Sequence, residues 1–386
     1  MTQTVTQTTI RPATGTQNQL VEARSLGSIR HDRLGVTIDQ YRSFRRDGFV
    51  VVPGVVSREE VDELRQHTQD LMDGKLVEQQ DAAVPKVHGD GVEVTEFGKP
   101  PENLSPHERA NFFLRIHMLH RKLKLHERYL LHPRVLDVLE VLIGPDVMAL
   151  QTMLFLKPPG SEGQGWHQDS FYIPTAPDTL CGAWIAIDRC DEYNGAMWFA
   201  KGSGTEPVYP PCPEAGYGFG DKMIEDIRYV KGISNTEDAK NSLSRVADRY
   251  DQVLVCANPG DVVFFNGHVL HRSKQNVTTD RYRRSFVSHY GNARAFTQWG
   301  LDPDAVPSRS LTEAEKSVGM TNSSQILARG DTHLPFALPR FGTPCAATEP
   351  AEIRRAAGEY VIRTIAENNN GMMGCGIADP TVADDD

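Results

Sequence analysis

The sequence predicts a mainly β protein with flanking helices, folded as a two-sheet jelly roll. From about Val147 onward, short apolar runs are separated by the turn residues Gly, Pro and Asp, whereas the preceding part has helical signals. Several short strands separated by turns are typical of a sandwich or barrel, for which the jelly roll is the natural candidate. The runs are Met148–Leu156, Cys181–Ile187, Ala196–Phe199, Gln252–Ala257, Asp261–Phe265 and Ser285–Tyr290.

The first elements are a short helix and a strand. Thr37 begins a helix over Ile38–Asp47, and Gly48 ends it. The β-branched run Phe49–Val52 then predicts a strand, because such side chains fit a pleated surface.

Two longer helices follow. Ser57-Arg58-Glu59-Glu60 forms a capping box, which is typical of a helix start. Pro133 suits the first turn of another helix, which runs to about Ile143 and stops at Gly144-Pro145. The apolar residues on one face of the first of these helices are Val61, Leu64 and Leu71.

The chain divides into a tail, a domain and an extension. Residues 1–35, rich in Thr and Gln, predict a flexible N-terminal tail. Residues 36–300 form the jelly-roll domain, in which the long polar stretch 201–251 is expected to be a lid-like insertion. Residues 301–386 are a C-terminal extension with one helical stretch, Glu349–Glu367.

Composition and charge exclude several classes of function. Of the 386 residues, 39% are hydrophobic and 24% charged, which is ordinary for a globular chain. A net charge of −10 argues against nucleic acid or an anionic membrane as a partner, and no apolar run approaches the roughly 20 residues of a membrane span. The six scattered cysteines, without a C-x-x-C pair, indicate a reduced, cytoplasmic chain. The sequence carries no signal for an oligomeric state.

The stretch Gly165–Asp169 has the strongest chemical signal. In an extended strand, His167 and Asp169 point to the same side and can bind one ion together. His271, far along the chain, can complete a 2-His-1-carboxylate face with open positions, as in non-haem iron(II) oxygenases. A zinc hydrolase with the same three ligands is an alternative.

Two ambiguities accompany this motif. A second H-x-D match, His88-Gly89-Asp90, lies in a Gly-rich loop with no strand predicted on either side, so we interpret it as a chance match. His268 and His271 are three residues apart and would face opposite ways in a strand, so only one can join the site. We favour His271, with His268 as a packed residue or a substrate contact.

A basic cluster follows the distal histidine. An open iron face needs a chelating electron donor such as a 2-oxo acid, whose far carboxylate needs a buried cation. Arg283 suits this role because its planar fork pairs bidentately with a carboxylate, and Lys157 offers a second cation. The alternative is that both are solvated surface charges.

The ordered motifs are similar to those of one family. The matching segments are 152–160, 166–169, 183–186, 194–197, 259–265 and 271–276, with Arg283 beyond them. In this order they resemble the phytanoyl-CoA dioxygenase family of iron(II)- and 2-oxoglutarate-dependent oxygenases. A weaker likeness begins near Tyr41, and the resemblance fades after about Tyr290.

The resemblance implies a fold, a metal site and a co-substrate. The fold is a cupin-like double-stranded β-helix, with iron(II) held by His167, Asp169 and His271. 2-Oxoglutarate is bound by Arg283, oxygen is the second co-substrate, and ascorbate is expected to stimulate the reaction. The other residues implied at the co-substrate are Lys157, Trp184, Gln151, Met153, Gln168 and Ser273.

Two departures from the family pattern leave alternatives open. The spacing from His271 to the basic pair is one residue longer than usual, so Arg284 could replace Arg283 as the anchor. Asn266 stands where the family often has histidine. Related halogenases lack the carboxylate, so Asp169 predicts oxygenation rather than halogenation.

The implied reaction is hydroxylation, or another oxidation, of an unactivated C–H bond in a small-molecule metabolite of natural-product biosynthesis, with release of succinate and CO₂. One alternative is an acyl-CoA hydroxylase of the same family, although the acidic chain has no evident basic patch for CoA phosphates. Another is a non-catalytic jelly-roll module that binds a metal or ligand. The candidate substrate contacts are Arg115, His117, His120, His268, Tyr217 and Phe219.

Overall fold

The computed structural model describes residues 33–79, 100, 102–105, 108, 115–209, 243–297, 325–333 and 338–339. Several features predicted from the sequence lie outside these residues. They are nearly all of the N-terminal tail, the chance motif at His88 and Asp90, the candidate contacts Tyr217 and Phe219, and the helical stretch Glu349–Glu367.

Two β-sheets form the framework and confirm the predicted jelly roll. The larger sheet has the order β1-β8-β5-β10-β3-β11-β12, with β2 also paired to β3, and the smaller sheet has the order β4-β9-β6-β7. All pairs are antiparallel except β11 with β12. In chain order, β1 to β12 are Phe49–Val52, Arg115–His117, Val147–Phe155, Gln164–His167, Cys181–Ala186, Met197–Ala200, Gln252–Val255, Val262–Asn266, His271–Ser273, Ser285–Asn292, Ile326–Arg329 and Leu338–Pro339.

The helices that precede β3 in the chain pack on one face of the larger sheet. Thr37 and Ser57 close capping boxes at the starts of the first two, and Gly48, with φ of +87°, ends the first as predicted. No helix in the described part of the chain is both long and apolar enough to cross a membrane. In chain order, α1 to α5 are Ile38–Asp47, Arg58–Met72, Lys124–Leu130, Pro133–Ile143 and Leu243–Ala247. Short 3₁₀ turns occupy Val77–Gln79, Leu119–Arg121, Asp169–Phe171 and Ser203–Thr205.

The central strands β5 and β8 of the larger sheet bury both of their faces. Ile185 and Phe264 belong to the core shared with the helices, whereas their neighbours Trp184 and Phe265 belong to the core between the sheets. This division follows from the period of two along a strand. Burial of each such side chain contributes about 1.5–3 kcal/mol. The face toward the smaller sheet is the one on which a ligand cavity can form.

Parts of the predicted insertion and extension belong to this framework. α5, near the end of the 201–251 stretch, packs with Trp166 in an apolar cluster on the smaller sheet. β11, within the predicted extension, pairs with β3 and widens the larger sheet. The domain limits at 36–300 remain predictions.

Candidate active site

The register of two strands brings the two candidate histidine ligands together. β4 pairs with β9 so that His167 lies directly opposite His271. Their ring centroids are 4.1 Å apart, and both side chains are buried. Directly opposed residues of an antiparallel pair have Cβ atoms about 4.5–5.5 Å apart, so the register by itself brings the imidazoles to one point.

Asp169 joins them because extended backbone continues past the end of β4. Gln168 has φ of −123° and ψ of 130°, so His167 and Asp169 keep to one side although Asp169 begins a 3₁₀ turn. Asp169 Oδ1 is 3.7 Å from His167 Nε2 and 3.8 Å from His271 Nε2. The three ligand atoms lie within 4.8 Å of one another, which is a 2-His-1-carboxylate arrangement.

Backbone carbonyls orient both imidazoles. His167 Nδ1 is 2.9 Å from Gly165 O, and His271 Nδ1 is 3.1 Å from Val269 O. A carbonyl oxygen only accepts hydrogen bonds, so each Nδ1 carries the proton and each Nε2 presents a lone pair. Gln164 Nε2 lies 3.2 Å from His167 Nε2, and a metal ion would replace this hydrogen bond.

Burial and neighbouring charges favour the protonation states that bind metal. Burial, followed by the effect of His271, lowers the pKa of His167 to about 3. Burial opposes ionisation of Asp169, but His271, His289 and His167 together hold its pKa below the ordinary value. Neutral imidazoles and an ionised carboxylate are the forms that bind a divalent cation, so this donor set fits iron(II).

A cavity of about 330 Å³ opens from these three residues. Much of its wall is apolar, including Phe155, Phe265 and Val287. An apolar pocket with a few convergent polar groups is typical of a small-molecule site. The predicted site residues that line it are His167, Asp169, His271, Arg283, Trp184, Gln151, Met153, Ser273, Arg115 and His117.

Arg283 supplies a buried cation to this cavity. It is 4% exposed, its guanidinium lies 5.6 Å from the centroid of the Trp184 ring, and its Nη1 donates to Ser285 Oγ at 3.0 Å. Burial lowers its pKa to about 10. Its Nε has no hydrogen-bond partner within the described ranges, so the guanidinium has a donor left for a carboxylate ligand.

Arg284 is committed to a different contact. Its Nε and Nη2 donate to the two carboxylate oxygens of Asp188 at 2.8 and 2.9 Å, which occupies the guanidinium fork. Arg284 is also absent from the cavity wall. Of the two arginines that the sequence left open, the contacts favour Arg283.

Lys157 reaches the cavity through Ser273 and does not line it. Its buried Nζ donates to Ser273 Oγ at 3.1 Å. The lysine side chain passes Gly195, where a Cβ would lie 2.6 Å from Lys157 Cε and 2.6 Å from Lys274 O. Gly195 also has φ of +84°, so a glycine is required here both for the turn and for the lysine.

Gln168, which the resemblance implies at the co-substrate, makes its hydrogen bonds away from the cavity wall. Its Nε2 donates to Pro207 O at 3.0 Å and to His268 O at 2.9 Å, and its Oε1 accepts from Tyr209 N at 3.1 Å. The physical reason is strand alternation, because the residue between His167 and Asp169 must face the opposite side. Gln168 therefore links the ligand pair to the first residues of the insertion.

His268 lies in a turn, and the expectation that it shares a strand with His271 is wrong. Its Nδ1 is 2.8 Å from Glu206 O, and its Nε2 is 3.3 Å from Asp178 Oδ2. Asn266 shapes this turn, since its Oδ1 accepts from the backbone N–H groups of His268 and Val269. His268 does not line the cavity, so the contacts favour its interpretation as a packed residue.

The substrate candidates in and just after β2 separate into two groups. Arg115 and His117 alternate onto the cavity side of β2, where His117 pairs with Met153. Burial lowers the pKa of His117 to about 3, so it is a neutral hydrogen-bonding group. His120 instead is buried with its Nδ1 2.8 Å from Thr152 Oγ1, away from the cavity wall.

Among the polar residues of the cavity wall that the sequence analysis missed, His289 contacts a candidate metal ligand. His289 lines the cavity, and its Nε2 lies 2.8 Å from Asp169 Oδ2. The strand period could have revealed it, because residues 285, 287 and 289 continue the face on which Arg283 was placed.

Comparisons with known proteins agree with the motif order. The phytanoyl-CoA dioxygenase (PhyH) family model matches residues 44–285, a span that contains the three candidate ligands and Arg283. The peroxisomal phytanoyl-CoA dioxygenase of Rattus norvegicus is 24% identical over 298 residues, covering 74% of this chain and 78% of that protein. The phytanoyl-CoA dioxygenase domain-containing protein 1 of Danio rerio is 27% identical over 279 residues, covering 66% and 89% respectively.

Solved structures of related size are also similar to this chain. The apo non-heme monooxygenase ThoJ has a TM-score of 0.49 at 20% identity and covers 86% of this chain and 100% of its own. The epimerase SnoN, in complex with Fe³⁺, alpha ketoglutarate and nogalamycin RO, has a TM-score of 0.49 at 20% identity, with coverages of 71% and 91%.

Replacement of Gln168 tests its linking role. We expect Gln168→Leu to lower the free energy of unfolding by at least about 1–3 kcal/mol, since buried backbone groups lose their partners. Gln168→Glu keeps the acceptor but sets a buried carboxylate oxygen against the carbonyl oxygens of Pro207 and His268, so it should destabilise the chain at least as much. Thermal unfolding measures the stability, and calorimetric titration measures 2-oxoglutarate affinity, which should change little. Unchanged stability with a large loss of 2-oxoglutarate binding would favour the co-substrate role instead.

Proposed function

The chain belongs to the phytanoyl-CoA dioxygenase family, and from this premise we propose which of its residues carry out the family's chemistry. It is an oxidoreductase of the dioxygenase type that uses iron(II) and 2-oxoglutarate. We assign iron(II) to His167, Asp169 and His271, and 2-oxoglutarate to Arg283. The observation that carries this assignment is a single cavity lined both by three converging ligand atoms and by a buried guanidinium.

Bound iron(II) supplies oxygen activation, coupled to conversion of 2-oxoglutarate to succinate and CO₂. The protein's part is to bind, orient and exclude water. Three ligands on one face leave positions for a 2-oxo acid and oxygen. The Arg283 fork, beside Trp184 and Ser285, docks the far carboxylate, and the Ser273 hydroxyl, held by Lys157, faces the same space. Apolar neighbours keep water from the reacting atoms.

Arg283 also distinguishes this function from its alternatives. A zinc hydrolase could use the same three ligands but has no need of a buried arginine beside them. A non-catalytic module has no need of a cluster with open positions. A cation buried without a carboxylate partner in the described ranges is costly unless a ligand pairs with it.

We propose a small metabolite as the substrate, oxidised at a C–H bond. A cavity of about 330 Å³ is near the lower end of the range of roughly 300–1,000 Å³ for ligand pockets, and the co-substrate must share it. Arg115 and His117 are the candidate polar contacts. The names of the curated relatives favour an acyl-CoA as the second candidate. The described free thiols of Cys181, Cys190 and Cys256 support a reducing, cytoplasmic location.

Substrate class can be tested by succinate release. We expect small metabolites from a screening panel to stimulate 2-oxoglutarate turnover above the substrate-free rate, because a cavity of about 330 Å³ leaves little room beside the co-substrate. Acyl-CoA thioesters of several chain lengths form the competing arm of the panel. Stimulation by acyl-CoA alone would replace the proposed substrate class with the second candidate.

The metal assignment has a spectroscopic test. Iron(II) and 2-oxoglutarate added under argon should give a weak visible charge-transfer band, because both bind one metal. His167→Ala should abolish the band, since it removes one of three ligands. His268→Ala is the matched control and should keep it, because His268 lies outside the ligand cluster. A band that survives in His167→Ala, or that the parent chain never produces, would contradict the assignment.

The two neighbouring arginines provide a second matched pair. Arg283→Gln should weaken 2-oxoglutarate binding by roughly 10- to 100-fold, since a hydrogen bond to a charged group contributes about 1.5–3 kcal/mol. Arg284→Gln should lower thermal stability, because the Asp188 carboxylate loses the guanidinium that pairs with it. The same variant should keep a 2-oxoglutarate affinity close to that of the parent chain. Calorimetric titration in the presence of iron(II) measures the 2-oxoglutarate affinity of both variants. The reverse ranking of affinities would make Arg284 the anchor.

A further inference from the structure

We propose that His289, held by Gln151, is a positioning residue that fixes the Asp169 carboxylate so that only one of its oxygens faces the metal. The inference deepens the proposed function and rests on it, because it assigns a role in the same metal site. His289 belongs to the larger sheet, and the three candidate ligands lie on or next to strands of the smaller one.

The contact between His289 and Asp169 joins the two sheets. His289 Nε2 is 2.8 Å from Asp169 Oδ2, and the histidine is 3% exposed. The other oxygen, Oδ1, is the one that lies near His167 and His271. The carboxylate thus has one oxygen held from behind and one directed at the shared point of the two imidazoles.

Both nitrogens of His289 are used. A carboxylate oxygen accepts, so the Nε2 of His289 carries the hydrogen that it donates to Asp169. Gln151 Nε2 lies 3.3 Å from His289 Nδ1 and donates to it. Gln151 is itself buried, so the imidazole is held at both ends and its ring orientation is fixed.

A β-bulge aims His289 at the carboxylate. His289 pairs directly with Gln151 on β3, whereas the next residue, Tyr290, pairs with Ala149, so Leu150 is the extra residue. Bulges of this kind bend a strand locally and redirect a side chain, and they are frequent beside active sites. On its other side, His289 is opposite Gly182 of β5, where a Cβ would lie 2.3 Å from Phe265 Cζ, so the glycine leaves room for that ring.

The arrangement suits positioning better than direct ligation. Within the described ranges, the cluster of converging ligand atoms contains three residues and omits His289. With Oδ2 engaged by His289, Asp169 can offer the metal one oxygen and not two, which keeps positions open for co-substrate and oxygen. Loss of the imidazole would leave a buried carboxylate oxygen without its donor.

Iron(II) affinity tests this role independently of turnover. It can be measured under argon by competition with a chromogenic chelator. We expect His289→Leu to weaken iron(II) binding by about 10- to 100-fold, as is typical when a partner of a metal ligand is lost. His289→Gln should recover most of the affinity, because its amide N–H can reach the place of Nε2. His289→Asn, whose amide is one carbon shorter, should not.

His132 provides the control for loss of a buried imidazole. It is 4% exposed, and its Nε2 is 3.2 Å from Glu60 Oε1, outside the cavity. We expect His132→Leu to lower thermal stability and leave iron(II) affinity at the parent value. Gln151 acts on Asp169 only through His289. We therefore expect Gln151→Leu to weaken iron(II) binding less than His289→Leu does.

The outcomes separate this inference from the function on which it rests. If the parent chain binds iron(II), His167→Ala does not, and a folded His289→Leu binds as tightly as the parent, then the positioning role is overturned while the metal site stands. Equal affinities of His289→Gln and His289→Asn would also overturn it, even if His289→Leu does not fold. If the parent chain itself does not bind iron(II), the metal assignment fails.

Discussion

The site depends on the strand register that sets His167 opposite His271. A slip of one residue between β4 and β9 would turn one of these side chains to the other face of the smaller sheet and abolish their convergence. The segments next to the two histidines in the chain are also held close to each other. Ser170 N donates to Gly267 O at 2.9 Å, and a Cβ on Gly267 would lie 2.1 Å from Ser170 Oγ. The missing side chain therefore lets the two ligand-bearing segments approach each other.

The two sheets contribute different chemistry to one cavity. The smaller sheet presents the three metal-ligating candidates, and the larger sheet, with the segment that leads into it, presents Arg283 and Trp184. The hydrogen bond from His289 to Asp169 is a direct polar link between them. Because each part is on or beside a strand, and because buried neighbours hold it, the geometry is set before any ligand binds.

The sequence predicted those features that follow from local signals or from motif order. Caps at Thr37 and Ser57, the i and i+2 relation of His167 and Asp169, and the family order up to Arg283 are of this kind. Contacts between segments distant in the chain were not predictable in the same way. Gln168 was assigned to the co-substrate, whereas its amide binds backbone of the insertion on the opposite side. The strand period places His289 on the cavity face, but its contact with Asp169, 120 residues away in the chain, has no local signal.

The most direct measurement is a crystal structure of the protein with iron(II) and 2-oxoglutarate, prepared under argon. The account predicts one metal ion bonded to His167 Nε2, His271 Nε2 and a single oxygen of Asp169, with the far carboxylate of 2-oxoglutarate on Arg283. A metal ion held by a different set of side chains, or a 2-oxoglutarate carboxylate paired with another cation, would contradict it.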